Sequence, residues 1–300
     1  MVIAIMGSNF TCYWDESGTD PGTLALSKSK REILVVAGYL AHVDDWESLE
    51  SRWSPIIKKE NLDRFHMAAF CNLRRPYGGW TEERRNGLIE SLLEILRDCP
   101  RLYVAFTLRI DDYMNLVKAR NIGETDFLRA YHILGLECIR AISALALSAG
   151  YTEKILHVFD QGNAAWPTFE ASFTPSMLDA LNILRPTSQS NIDVPALQAA
   201  DILVHQVARL RTTSTSGAIG HQRIYADRLK FKAGFDHRLT KGEILKSLQE
   251  NERFRQIERV GMPQHLTLNA AIPQQHQEMM KELFSDPKEF SLNERLRSLQ

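Results

Sequence analysis

From residue 10 onward the chain alternates short apolar runs with amphipathic stretches in one order: strand, strand, helical stretch, strand, helix, strand, helix, strand, helix. The first run, FTCYWDES, ends in two acids, Asp15 and Glu16, and a Ser-Gly turn. REILVVAGYLA (31 to 41) reads as a second, largely buried strand, RLYVAFTLRI (101 to 110) as a third and KILHVFDQG (154 to 162) as a fourth. A fifth is expected around Leu181 to Arg185. Between them, DDWESLESRWSPIIKKEN places Trp46, Leu49 and Trp53 on one helical face, with Asp44 or Asp45 as its cap and Pro55 as a potential break. Thr81 and the acids after it mark another helix start, a long apolar helix runs from about Asp126 to Ser148 and stops at Gly150, and DVPALQAADILVHQVARL is a helix with Pro195 in its first turn and Asp193 as cap.

This is an α/β order. With the helical stretch at 43 to 100 set aside as an insertion, three leading strands precede alternating helices and strands, the topology of the ribonuclease H-like fold. The expected division is a ribonuclease H-like domain over 8 to 212 and a helical C-terminal extension over 213 to 300, with RTTSTSG (211 to 217) as the linker.

Composition sets outer bounds. Thirty-six Lys and Arg nearly cancel 37 Asp and Glu, so affinity for a polyanion must come from a local patch. The four cysteines are far apart and unaccompanied by His at zinc spacing, which disfavours a structural zinc. The opening MVIAIMG has no basic leader and is short for a signal core, and no other run approaches a membrane span, so a cytoplasmic setting without a membrane is expected.

Three aspartates fall where this order would bring them together: Asp15 ending the first strand, Asp160 ending the fourth, and Asp201 in the last core helix. That helix is apolar nearly all round, and Gln198, Asp201, His205 and Arg209 fall in one narrow stripe. A carboxylate in such company is costly unless paired, neutralised or bound to a cation. Three acids around one point repel one another, and a divalent ion resolves the conflict. All-oxygen ligation favours Mg²⁺ or Mn²⁺, and two such ions suit in-line phosphodiester hydrolysis. Asp15, Asp160 and Asp201 are therefore expected as metal ligands. Glu16 points to the other face while the strand continues, and turns inward only if the strand breaks at Ser17.

YWDESG, RFHMAAF, HVFDQG and LQAADIL, in that order, resemble domain-of-unknown-function family 3800, over about residues 10 to 210. The resemblance implies a ribonuclease H-like fold in bacteria and mobile elements, a setting of defence or mobile-element biology, and marked positions at Asp15, Glu16, His66, Asp160, Gln198 and Asp201. Trp14 departs from the family, where a small aliphatic residue is more usual; the expected effect is on packing rather than chemistry. His66 suits proton transfer near neutrality or a buried structural place, and Gln198 suits a substrate contact or a cap on the polar stripe.

The loop LRRPYGGWTEERR sets Arg74, Arg75, Arg84 and Arg85 around Tyr77 and Trp80, a mixture suited to gripping phosphates and stacking bases, or else a solvated loop whose arginines are neutralised by Glu82 and Glu83. Arg74 and Arg75 are the expected substrate contacts there. Glu137 is expected to pair with Arg140 or Arg129 rather than act as a fourth acid. Three functions compete: a metal-dependent nuclease on RNA or DNA, a non-catalytic module holding nucleic acid or protein, and a phosphoesterase for small substrates. A protein partner or second copy would engage the C-terminal helices.

Overall fold

The computed structural model describes residues 8–17, 33–99, 102–119, 127–163, 165–212, 234–244 and 246. Of the expected linker at 211 to 217, Arg211 and Thr212 instead end the helix Pro195–Thr212, and 213 to 217 and most of the expected helical extension lie outside the described residues. Six strands form one mixed sheet in the order β5-β4-β1-β2-β3-β6. These are β1 (Phe10–Ser17), β2 (Ile33–His42), β3 (Leu102–Arg109), β4 (Leu156–Asp160), β5 (Thr187–Gln189) and β6 (Gly234–Arg238). Strand β2 runs antiparallel to both its neighbours, β1 and β3, whereas β4 joins β1 in parallel, β5 joins β4 in parallel and β6 joins β3 in parallel.

Side chains along β1 alternate between two cores. Phe10, Cys12 and Trp14 enter one cluster with α4 (Ile110–Ala119), α5 (Phe127–Ser148), α6 (Trp166–Ala171) and α7 (Pro175–Ala180). Tyr13 enters the other, built from α1 (Val43–Lys59), α2 (Met67–Cys71), α3 (Glu82–Asp98) and α8 (Pro195–Thr212). Helices thus cover both faces of the sheet, and a central strand buried on both sides explains the near-continuous apolar run of β2. The stretch Arg129–Ser148 of α5 is long and apolar enough to cross a membrane, but most of it is buried inside the protein.

Trp14 is accommodated from across the sheet. It faces Gly38 in the β1–β2 register, and a Cβ on Gly38 would lie 2.1 Å from the Tyr13 carbonyl oxygen and 2.5 Å from Trp14 Cε3. The indole stacks on His157 with centroids 5.9 Å apart and donates its Nε1–H to His157 Nδ1 at 3.0 Å. Acceptance at Nδ1 puts the imidazole proton on Nε2, and burial pushes the His157 pKa down to about 3.

Several expectations change. The helix expected from Asp44 is capped by His42, whose Nδ1 accepts from Asp44 N at 3.3 Å, and it runs through Pro55. The buried stripe Trp46, Leu49, Trp53 and Ile57 continues on both sides of the proline and holds the helix together across the lost backbone bond. The fifth strand lies at Thr187–Gln189, not 181 to 185; Ile183 makes only an isolated bridge to Ile155. Gly234–Arg238, inside the segment expected to be wholly helical, is a strand, because the open edge of β3 offers a complete row of backbone partners. Helix α4 carried no cap signal and was not anticipated. Thr81 does cap α3, accepting from Arg84 N at 3.3 Å, and Gly150 adopts φ 81° just past α5.

Candidate functional site

Strand alternation and register bring the acids together. Trp14 pairs with Phe159 in the parallel β1–β4 ladder, so one residue further on Asp15 lies beside Asp160. Both fall on the face carrying Tyr13 and Val158, which α8 covers, and α8 supplies Asp201. Asp15 and Asp201 are buried, with Asp201 only 6% exposed.

Each acid has a distinct set of partners. Glu16 N donates to Asp15 Oδ1 at 2.8 Å, Met67 N donates to Asp201 Oδ2 at 2.6 Å, and Asn191 Nδ2 donates to Asp160 Oδ2 at 3.1 Å. Burial, followed by the negative charges of Asp201, Glu16 and Asp160, pushes the Asp15 pKa well above the usual carboxylate range, against the lowering effect of its backbone bond. Burial also raises Asp201, to about 7, with Asp160 adding to the rise while the Met67 N–H and Arg64 oppose it. Asp160 is raised chiefly by burial and held back by backbone hydrogen bonds and by Arg64. The acids are therefore mutually repelling groups on one face of the sheet end.

Among the described residues no three His, Cys, Asp or Glu side chains form a ready-made metal-ligand group. Mg²⁺ commonly takes only one or two protein carboxylates and completes its shell with water and phosphate oxygens. The neighbouring Asp15 and Asp160, with Asp201, supply hard oxygen donors, two of them buried, whose mutual repulsion is not fully compensated, a donor set that fits such an ion.

Glu16 stays on the opposite face, because β1 continues through Ser17. Its Oε1 accepts from Asn163 Nδ2 at 2.9 Å, and its charge is felt both by Asp15 and by Tyr131 of α5. Glu16 thus acts on Asp15 through the sheet rather than beside it.

The polar stripe of α8 faces the helical segment between β2 and β3. Gln198, 2% exposed, accepts from Trp53 Nε1 at 2.9 Å and Phe65 N at 3.0 Å through Oε1, and donates from Nε2 to the Asn191 carbonyl at 2.8 Å. These bonds make it a tie between α1, the loop before α2 and the loop before α8. His66 is half-buried at the N-cap of α2; burial, then Arg64 and Arg74, lowers its pKa, so it is neutral at pH 7. His205, one turn beyond Asp201, is lowered to about 3 by burial, Arg209 and His66.

The aromatic-basic loop has a different role from base stacking. Tyr77 is fully buried and its hydroxyl accepts from His66 N at 3.2 Å, while the Arg84 guanidinium lies 3.7 Å over the Trp80 ring and pairs with Glu60 at 2.9 Å. Edge contacts to Phe65 and Phe70 bury Tyr77 within the helical segment between β2 and β3, and Trp80 packs half-buried against Tyr77. Arg74 and Arg75 are exposed, and only Arg74 is electrostatically felt, at His66. Glu137 pairs with Arg140 at 2.8 Å.

Two residues of the site carried no sequence signal. Arg64 donates from Nη1 to Asn191 Oδ1, and Asn191 passes the contact to Asp160. Both sit in irregular segments, where no periodicity marks a direction; Arg64 does stand inside the quoted stretch RFHMAAF. No protein-family model matches the chain, and no curated protein matches it.

Proposed function

We propose that the chain is a divalent-metal-dependent phosphodiester hydrolase of the ribonuclease H-like type, acting on nucleic acid; the resemblance to domain-of-unknown-function family 3800 supports the fold type and a setting in bacterial defence or mobile elements, and the acids carry the chemistry. The observation that carries this reading is that Asp15 and Asp160 directly follow the last paired residues, Trp14 and Phe159, of two parallel strands and share a charge interaction with Asp201, with the proton affinity of all three raised. Evolution rarely leaves buried like charges together without a task, because their repulsion costs stability.

Asp15, Asp160 and Asp201 would hold Mg²⁺ or Mn²⁺, which when bound supplies Lewis acidity toward a phosphodiester oxygen and makes a bound water more acidic. The chain's own residues do the rest. Asp201 has one carboxylate oxygen fixed by Met67 N and exchanges a proton near neutrality, so the site releases protons as it accepts a cation. His66, at the start of α2 next to the Met67 amide that holds Asp201, has its pKa lowered by burial, Arg64 and Arg74 and is the nearby candidate proton acceptor. Burial of Asp15 and Asp201 keeps bulk water from screening their charges, while Asp160 is half-buried.

Against the interaction-module reading, Tyr77 is buried and Trp80, half-buried, already carries the Arg84 guanidinium over its ring. The test is cleavage of labelled single- and double-stranded RNA and DNA with Mn²⁺ and with EDTA, by the parent and by Asp15→Asn, Asp160→Asn and Asp201→Asn. The expected result is Mn²⁺-dependent cleavage lost in all three variants, each still folded. Variants as active as the parent, or a parent inert on every substrate with Mn²⁺, would overturn the assignment.

A further inference from the structure

The loop before α2 lies along the acid-bearing helix. Phe65 N donates to Gln198 and Met67 N to Asp201, both on α8, so the backbone immediately after residue 64 is pinned to that helix. Arg64 therefore has a fixed origin. Its side chain is half-buried, and its described hydrogen bond runs from Nη1 to Asn191 Oδ1. Asn191 is 6% exposed and uses both ends of its amide, accepting from Arg64 and donating to Asp160.

A guanidinium carries five N–H donors in a planar fork. Among the described residues one of them is engaged, and no carboxylate lies within ion-pair distance of the group, although its charge is felt at Asp160, Asp201, His66 and Tyr77. An arginine whose role was to neutralise the acids would close onto one of them as a bidentate pair. Here a neutral amide holds it beside them instead, with most of its fork unspent.

We infer that Arg64 is the substrate-phosphate contact of this site, its guanidinium placed by Asn191 to take a non-bridging oxygen of a phosphodiester whose reacting phosphorus lies over Asp15 and Asp160. The inference rests on the hydrolase reading for the identity of the ligand, a nucleic-acid backbone, but not for the presence of an anion contact. Asn191 connects the two functions: the amide that holds the phosphate-binding fork also orients the Asp160 carboxylate.

Arg64→Gln and Arg64→Lys are compared with the parent in two measurements. Fluorescence anisotropy with short labelled single- and double-stranded RNA and DNA in Mn²⁺ reads phosphate contact, and calorimetric Mn²⁺ titration without nucleic acid reads the acids. Arg64→Gln is expected to weaken binding of the preferred oligonucleotide at least about tenfold while its Mn²⁺ affinity is unchanged or tighter, since a nearby positive charge has gone. Arg64→Lys should recover part of the oligonucleotide affinity, keeping charge but not the fork. Unchanged oligonucleotide affinity in Arg64→Gln overturns the assignment, as does parallel loss of Mn²⁺ and oligonucleotide binding, or a parent that binds none of the four. If Arg64→Gln loses oligonucleotide affinity but the parent shows no Mn²⁺-dependent cleavage, the phosphate contact stands and the hydrolase reading fails.

Discussion

Replacing Asp201 by Asn should make the metal-free protein more stable at alkaline pH, and by an amount that depends on pH. The Asp201 carboxyl is raised from 3.8 to about 7 in the folded chain. A group raised in this way contributes stability that is fully present below pH 3.8 and is lost as pH rises through 7. At about 1.4 kcal/mol for each tenfold change in proton affinity, the ionised form costs the fold roughly 4 kcal/mol by pH 8. Asparagine removes that cost and can still accept from Met67 N, though a neutral acceptor is weaker than a carboxylate by about 1 kcal/mol. The net expected gain is about 3 kcal/mol at pH 8, or roughly 6 to 12 °C in Tm for a domain of this size, shrinking to nothing or slightly reversing near pH 4. Thermal melts in EDTA across pH 4 to 8.5 measure it. Equal destabilisation of Asp201→Asn at pH 5 and pH 8 would refute the reasoning, because it would mean that the carboxylate is a structural acceptor whose charge carries no strain.

Two further predictions concern the core. Gly38→Ala should cost roughly 3 kcal/mol or more, or prevent folding, since its Cβ meets backbone oxygen at 2.1 Å; chemical denaturation or soluble yield reads this, and a neutral result would contradict the Trp14 packing. His157, lowered to about 3, contributes stability present above pH 6.5 and lost as pH falls toward 3. The parent should therefore lose about 3 kcal/mol between pH 7 and pH 4 relative to His157→Gln, which keeps an acceptor for Trp14 but does not titrate, as compared by urea midpoints at the two pH values.

The sequence carried the site where side-chain direction follows from a period. Alternation in β1 and β4 put Asp15 and Asp160 on one face and Glu16 on the other, and the helical period of α8 aligned Gln198 with Asp201. Gly150 and Thr81 marked helix ends because local backbone chemistry acts there alone. Arg64 and Asn191 were illegible for the opposite reason: their directions are set by long-range hydrogen bonds across the α8 face. Tyr77 looked like a loop aromatic, and only the tertiary packing of Phe65 and Phe70 around it shows it to be core. Likewise β6 depends on an edge of β3 more than 100 positions earlier in the chain, and its own five residues have no strand alternation strong enough to announce it.

Calorimetric titration of the parent with Mn²⁺, repeated at several pH values and in buffers of different ionisation enthalpy, tests the central claim most directly. Saturable binding that tightens from pH 6 to pH 8, releases protons, and disappears in Asp201→Asn is the predicted result. Binding indifferent to pH and retained in Asp201→Asn, or no binding at all, would contradict it.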